Sequence, residues 1–267
     1  MKDIAKVTIL GARGSTSLSD SRFQRYGGAT SCILLQIAGE TILLDAGSGL
    51  LNFRSKGDAE DIHILISHSH IDHIIGLPSF APMFHRKRRY HIYGKTRNGL
   101  TIAEQIETLM RPPLWPAGTD SFADTTDFHM IDNSFTIGQL TIDCLESNHP
   151  DGSTIYKIRH GDKKIVYATD FEHDAYHSGR LAEFAADCSL LIYDAHYFES
   201  EYENHIGWGH STAEEGIKLK RLCGAKKLLL FHHSPSHSDD ALDELLQQLS
   251  ETEPDCDYAR CGEEIII

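Results

Sequence analysis

Apolar positions come in short blocks of strand length, separated by glycine and polar clusters, rather than in long helical stripes. Val7–Leu10 opens as a strand and runs into the Gly-rich Gly11–Ser15; Ser31–Ile37 and Thr41–Leu44 read as a hairpin turned at Ala38-Gly39-Glu40. Asp61–Ser67 reads as a buried strand, His68–His73 as a loop, and Ile74 onward as a short helix stopped near Pro78 and Pro82. Tyr90–Tyr93 is a further strand, and Thr101–Met110 a helix ended by Arg111-Pro112-Pro113. The second half repeats the style. Ser134–Leu145 folds back at Gly138, Ser153–His160 and Lys163–Ala168 pair about Gly161-Asp162, and Ser189–Tyr193 and Lys227–Phe231 are buried strands. Thr212–Cys223 is a helix with a capping box of Thr212 and Glu215, closed by Gly224. Asp239–Leu249 is another, with Leu242, Leu245, Leu246 and Leu249 on one face. Sheet followed by helix, twice, with no low-complexity linker, predicts one α/β domain over residues 1–267, two sheets sandwiched between helices.

Charge and residue usage narrow the function. Lys and Arg number 25 against 39 Asp and Glu, a net charge of −14. Such a surface disfavours long nucleic acid, whose binding rests on Lys and Arg neutralising phosphates. No apolar run approaches the roughly 18 residues of a membrane span, and the first residues show no signal-peptide pattern. Six scattered cysteines without a Cys-x-x-Cys pair point to reduced thiols and a cytoplasmic protein. Histidine is the outlier, at 17 residues.

The histidines cluster. Ser67-His68-Ser69-His70-Ile71-Asp72-His73 follows directly on a buried strand. On an extended segment residues two apart point the same way, so His68 and His70 can converge on one ion, while Asp72 and His73 project to a neighbouring position. This His-x-His-x-Asp-His run resembles that of the metallo-β-lactamase-fold hydrolases, whose four-layer αββα sandwich agrees with the two-half pattern. The resemblance implies the remaining ligands. They are His149 in Glu146-Ser147-Asn148-His149-Pro150, Asp170 in Tyr167-Ala168-Thr169-Asp170, and His232 after Leu228–Phe231, with adjacent His233 as the rival. It implies two divalent ions, one held by His68, His70 and His149 and one by Asp72, His73 and His232, sharing Asp170 and a bridging hydroxide that serves as nucleophile. With only nitrogen and oxygen donors, zinc is expected and manganese is the alternative. His at position 70, where the oxygen-reducing di-iron branch commonly places Glu, favours hydrolysis.

Two further segments resemble the tRNase Z group. Gly209-His210-Ser211-Thr212-Ala213 is similar to its His-x-Thr-Ala element, and Asp194 in Tyr193-Asp194-Ala195-His196 stands where that group's His-Glu-Ala-Thr element has its glutamate. The resemblance implies that Asp194 orients His210, which donates a proton to the leaving oxygen, with Asp72, His210 and Asp194 as the catalytic set. The start of the helix at Thr212 adds N–H groups suited to a phosphate. The long arm with which that group grips tRNA is missing, since His149 and Asp170 are joined by a plain hairpin. Armless cyclic-nucleotide phosphodiesterases of the fold are the better comparison, and Arg25–Gly28 and His232–Asp240 look like segments of an armless bacterial group. The expected protein is therefore a cytoplasmic, homodimeric metallohydrolase of a small or cyclic nucleotide phosphodiester. The alternatives are an RNA nuclease, a thioester or lactone hydrolase, and a metal-bound sensor without turnover. Trp115, Phe171, Tyr197 and Trp208 are candidates to stack on a base. Glu172, His173, His177, His205 and His237 read as outer-layer groups or polar rim, and Arg86–Arg89 as a solvated turn.

Overall fold

A computed structural model describes residues 4–54, 61–84, 88–250 and 252–267. The first sheet takes β1 (Lys6–Gly11), β2 (Cys32–Ile37), β3 (Glu40–Leu44), β4 (Ile62–Leu65), β5 (Tyr90–Gly94) and β6 (Thr126–Met130). The second takes β7 (Ser134–Ile137), β8 (Leu140–Glu146), β9 (Thr154–His160), β10 (Lys163–Ala168), β11 (Leu190–Asp194), β12 (Leu228–Phe231) and β13 (Cys256–Tyr258). The chain then returns to the first sheet with β14 (Glu264–Ile266). The orders are β14-β1-β2-β3-β4-β5-β6 and β13-β12-β11-β10-β9-β8-β7. Strands β3 to β6 are parallel to one another, as are β10 to β13.

Alternation along the strands builds the layers. Ile42 and Leu44 of β3 point into a core shared with Ile142, Ile158, Ile165, Tyr167 and Phe231 of the second sheet, whereas Leu43 points outward. The helices are α1 (Ile71–Ile74), α2 (Ile102–Leu109), α3 (Ala175–Phe184), α4 (Glu199–Tyr202), α5 (Ala213–Cys223) and α6 (Asp239–Ser250). Ile102 and Ile106 of α2 cover the outer face of the first sheet; Leu181 of α3, Ile217 of α5 and Leu242 of α6 cover that of the second. This is the four-layer α/β sandwich expected. Among the described residues no helix is long and apolar enough to cross a membrane.

Several local expectations need correction. The helix expected from Ile74 lies instead at Ile71–Ile74, inside the segment read as a loop, and the prolines after it sit in 3-10 turns at Leu77–Ser79 and Ala81–Phe84. Only half of the capping box at α5 forms. Thr212 accepts from the Glu215 backbone N–H at 3.3 Å, but the Glu215 carboxylate is taken by Lys218. The full box is at α2, where Thr101 and Glu104 cap each other. Strands β6, β13 and β14 and helix α3 carried no strong pattern: β6 is largely half-buried, β13 and β14 have three residues each, and in α3 only Leu181 and Ala182 are buried. All six cysteines are free.

The segments 25–28 and 232–240 pack against each other around buried Arg13. Its guanidinium donates to the carbonyls of Gly27, Ser234 and His237 at 2.9, 3.2 and 2.8 Å and to Asp239 Oδ1 at 3.1 Å. Asp239 Oδ2 accepts from the Arg25 backbone N–H at 2.6 Å, and the Tyr26 hydroxyl donates to Asp243 at 2.7 Å. Burial lowers the Arg13 pKa to about 10 against the opposing pull of Asp239, so the guanidinium stays charged at neutral pH. Arg13→Met should destabilise the fold by about 3–5 kcal/mol, because Asp239 would be left buried and uncompensated; urea unfolding measures it, and a loss under 1 kcal/mol would contradict this account.

Candidate metal centre

The C-terminal ends of the two parallel strand groups converge, as is usual for sites on α/β sheets. His68 and His70 follow β4, Asp72 and His73 ride on α1, His149 follows β8, Asp170 follows β10, Asp194 ends β11 and His232 follows β12. Asp45 follows β3. Asp45, Asp170 and His232 all have left-handed backbone angles, with φ of 59°, 52° and 63°. Non-glycine residues accept that conformation sparingly, Asp and His more readily than most, and it turns each side chain sharply inward at the strand end.

The donor atoms form two sets that meet at Asp170. His70 Nδ1 lies 3.3 Å from His149 Nε2, and Asp170 Oδ1 lies 3.8 Å from His68 Nε2 and 3.9 Å from His149 Nε2. On the other side Asp170 Oδ2 lies 3.2 Å from His73 Nε2 and 3.5 Å from His232 Nε2. Asp72 Oδ2 lies 3.3 and 3.1 Å from those two nitrogens. His68, His70 and His149 are thus one group able to hold an ion, and Asp72, His73 and His232 another.

The surroundings fix the tautomers for that task. His73 Nδ1 donates to Asp45 Oδ2 at 2.7 Å and His149 Nδ1 to the Gly209 carbonyl at 2.9 Å. His68 Nδ1 meets Ser67 Oγ at 3.1 Å. Each ring therefore turns its other nitrogen toward the cluster, and His68 Nε2 and His73 Nε2 are buried without a hydrogen-bond partner. Histidines whose far nitrogen is held by a carboxylate or carbonyl are the usual support of a metal site. Asp45 is itself held by the Ser67 N–H and hydroxyl and by the Tyr167 hydroxyl at 2.7, 2.9 and 2.8 Å. Thr169 Oγ1 donates to Asp170 Oδ2 at 2.6 Å and the Ser15 N–H to Asp72 Oδ2 at 2.7 Å.

The charge pattern agrees. Burial acts to raise the Asp170 carboxyl, yet His232, His73 and His68 hold it well below the usual range. Asp72 behaves alike, with His73 and His232 outweighing burial. Burial opposes protonation of His232, but Asp170, Asp72 and Asp194 push it up to about 9; His73 is also raised, by Asp170, Asp72 and Asp45. His68, His70 and His149 are lowered by burial and present neutral lone pairs. Carboxylates around His73 and His232 demand positive charge, and divalent cations meet that demand.

His210 stands at the rim. Its Nδ1 donates to Asp194 Oδ2 at 2.9 Å, and the Asp194 Oδ1 accepts from the backbone N–H of His196 at 3.0 Å and of Ser211 at 3.3 Å. The His196 ring stacks on His210 at 4.4 Å and donates Nδ1 to the His232 carbonyl at 2.8 Å. His196 was not among the expected site residues; its only signal was its place in Tyr193–His196. The carboxylate of Glu172 accepts from the Gly207 and Gly209 N–H groups at 2.6 and 2.7 Å, fixing the loop that carries His210 and the carbonyl behind His149. His233 lies outside this arrangement, donating Nε2 to the Ala259 carbonyl at 2.8 Å with Tyr26 and Tyr258 edge-on.

Other expectations fare less well. Ser211, Thr212 and Ala213 are fully buried, so the start of α5 is closed to a phosphate. Phe171 is buried against Tyr193 and closed to a base, while half-buried Trp115 packs against the outer core of the first sheet. Tyr197 is buried but stacks on His205 at 4.3 Å, and Trp208, 62% exposed, meets His205 edge-on at 5.3 Å. Trp208 stands two residues before His210 on the same loop. His173 holds Ser211, His177 caps α3 with Asp174, and His237 binds Glu201. Arg89 is spent on Asp127; residues 86 and 87 lie outside those described.

Gly14 leaves no room for a side chain. A Cβ there would sit 2.5 Å from the His232 ring and 2.8 Å from His196 Nδ1. Gly14→Ala should therefore displace His232, lowering turnover about 10²-fold with little change in unfolding temperature. Kinetics beside a thermal melt tests this, and full activity would show the rings free to yield.

Residues 40–233, more than half of the chain, match the model of the β-lactamase superfamily domain. The chain belongs to that superfamily. It is 24% identical to the ribonuclease Z of Archaeoglobus fulgidus, over 88% of this chain and 89% of that protein. The crystal structure of the metallo-β-lactamase fold protein YhfI from Bacillus subtilis superposes with a TM-score of 0.73 at 23% identity, covering 100% of both chains. Human tRNase Z, short form, superposes with a TM-score of 0.69 at 21% identity, covering 97% of this chain and 98% of that one. The superfamily match and the shared fold agree with the His-x-His-x-Asp-His resemblance, and a metallo-β-lactamase fold implies divalent metal binding. The relatives named ribonuclease Z act on RNA by name, which stands against the expectation that long nucleic acid is disfavoured.

Proposed function

We propose that the chain is a binuclear, zinc-dependent phosphodiesterase of small or cyclic nucleotides, working as a cytoplasmic homodimer. The observation that carries the reading is Asp170, which turns Oδ1 toward His68 and His149 and Oδ2 toward His73 and His232. His68, His70 and His149 would hold one ion and Asp72, His73 and His232 the other, with Asp170 shared. Bound there, two divalent ions supply Lewis acidity and a water of lowered pKa. The protein groups do the rest. Asp45, Ser67 and Gly209 hold the imidazoles in their donor tautomers, Asp194 holds the His210 ring, and His210 delivers a proton from Nε2 to the leaving oxygen.

Substrate size rests on the connection between His149 and Asp170. It is the hairpin β9–β10, paired from Tyr156↔Tyr167 to His160↔Lys163, with no gripping arm. Together with the net charge of −14 this favours a small diester. An RNA substrate is the second reading, supported by the relatives named ribonuclease Z. A turnover panel of cyclic mononucleotides, a linear dinucleotide and a pre-tRNA at equal concentration separates them. Small diesters should be cleaved faster; efficient 3′-end trimming of the pre-tRNA with the small diesters untouched would replace this reading with the second. Trp208 would stack on the base, a contact worth ~1–3 kcal/mol. Trp208→Ala should raise KM for the nucleotide about tenfold with kcat kept, and an unchanged KM would remove Trp208 from the binding site.

A further inference from the structure

A second group of histidines lies away from the Asp170 cluster, on the face of the first sheet that carries Leu65 and Tyr93. His63, His91 and Asp127 are register partners across β4, β5 and β6, and Tyr93 and His129 pair one step further along. Nothing in the hydrolytic site uses them. His91 Nδ1 lies 3.1 Å from His129 Nε2 and 3.5 Å from Asp127 Oδ2, while its Nε2 faces Asp61 Oδ2 at 3.5 Å. His63 stacks on His91 at 5.1 Å, and Tyr93 stacks on His129 at 4.6 Å, so both imidazoles are clamped.

We propose that His91 Nδ1, His129 Nε2 and Asp127 form a further divalent transition-metal site, stapling the edge strand β6 to β5. Donors about 2.1 Å from a tetrahedral ion are about 3.4 Å apart. The separations of 3.1 and 3.5 Å bracket that spacing; the second falls within the 3.2 to 3.9 Å range seen around Asp170, and the first lies just below it. Asp61 beside Nε2 favours the proton there and leaves Nδ1 a lone pair, the carboxylate–histidine arrangement that supports bound metals. Burial, and His91 beside it, lower the pKa of His129, so its nitrogen is also an available lone pair at neutral pH. Arg89 donates to both oxygens of Asp127, at 2.5 and 2.8 Å, and orients the carboxylate. Glu40, 3.6 Å from His63 Nε2, adds to the local negative charge with Asp61 and Asp127. Two nitrogens and one oxygen suit Zn²⁺, Ni²⁺ or Cu²⁺ rather than Mg²⁺ or Ca²⁺ and leave a position for water. The role is structural, because three protein strands hold it and, among the described residues, no reactive group adjoins it.

Chelator-stripped protein equilibrated with buffered Zn²⁺ and analysed by mass spectrometry tests this. His91→Ala/His129→Ala should bind one equivalent less than the unaltered chain while keeping its phosphodiester turnover, and Asp170→Ala should still bind that equivalent. Equal stoichiometry in the double variant and the unaltered chain would overturn the site. A readout on the unaltered protein keeps the test independent of variant folding. Crystals grown with Zn²⁺ should show anomalous density at the zinc edge between His91 and His129, and no density there at saturating zinc would also overturn it.

Discussion

Asp170→Ala is expected to abolish measurable turnover and to lower the metal content of both ligand sets together. Asp170 supplies an oxygen to each set, with Oδ1 beside His68 and His149 and Oδ2 beside His73 and His232. Losing a mere outer partner of a ligand costs roughly 10–100-fold in metal affinity, so losing a shared ligand should cost more at both positions. The carboxylate also balances charge, since His232 and His73 hold it ionised against burial. Asp170→Asn separates the two contributions. It keeps one oxygen of the same shape but removes the charge, and should keep the ions of one set better than of the other. Metal analysis with circular dichroism to confirm folding is the measurement. Full stoichiometry and activity in Asp170→Ala would refute the shared-ligand role.

The site was legible to different depths for physical reasons. His68, His70, Asp72 and His73 sit within six positions, and strand geometry followed by a helical turn suffices to bring them together. His149, Asp170, Asp194 and His232 each needed a strand end and a recognised pattern around it, and His210 the pattern before a helix start. Asp45 gave no such signal. It reaches His73 only because β3 and β4 are parallel neighbours and its backbone turns left-handed at φ 59°. Glu172 likewise serves two backbone N–H groups of a loop distant in sequence. Contacts of that kind depend on the packing of strands, which no local pattern of polar and apolar residues contains. The two armless-group segments show the converse: they are distinctive in sequence because they wrap buried Arg13. The reverse error at the start of α5 has the same origin. A helix start suits phosphate in isolation, but the bridge of Thr212 to Tyr197 buries it.

His210→Ala should reduce kcat far more for diesters with an alkoxide leaving group than for nitrophenyl diesters. His210 touches no member of the first ligand set through a hydrogen bond; its Nδ1 is committed to Asp194, leaving Nε2 as the atom able to meet substrate. An alkoxide is a poor leaving group until protonated, and a positioned acid contributes roughly 10²–10⁴-fold. A nitrophenolate leaves without a proton, so its rate should fall only by what His210 contributes to binding. Asp194→Asn sharpens the test. The oxygen of an Asn at this position is claimed by the N–H groups of His196 and Ser211, which now bond Asp194 Oδ1. Its amide N–H₂ would then face His210 Nδ1, where only an acceptor suits the donor tautomer. The imidazolium loses its support, and the same selective loss on alkoxide-leaving diesters should follow without removal of the ring. Equal losses on both substrate types, in either variant, would show that His210 binds the phosphate and donates no proton.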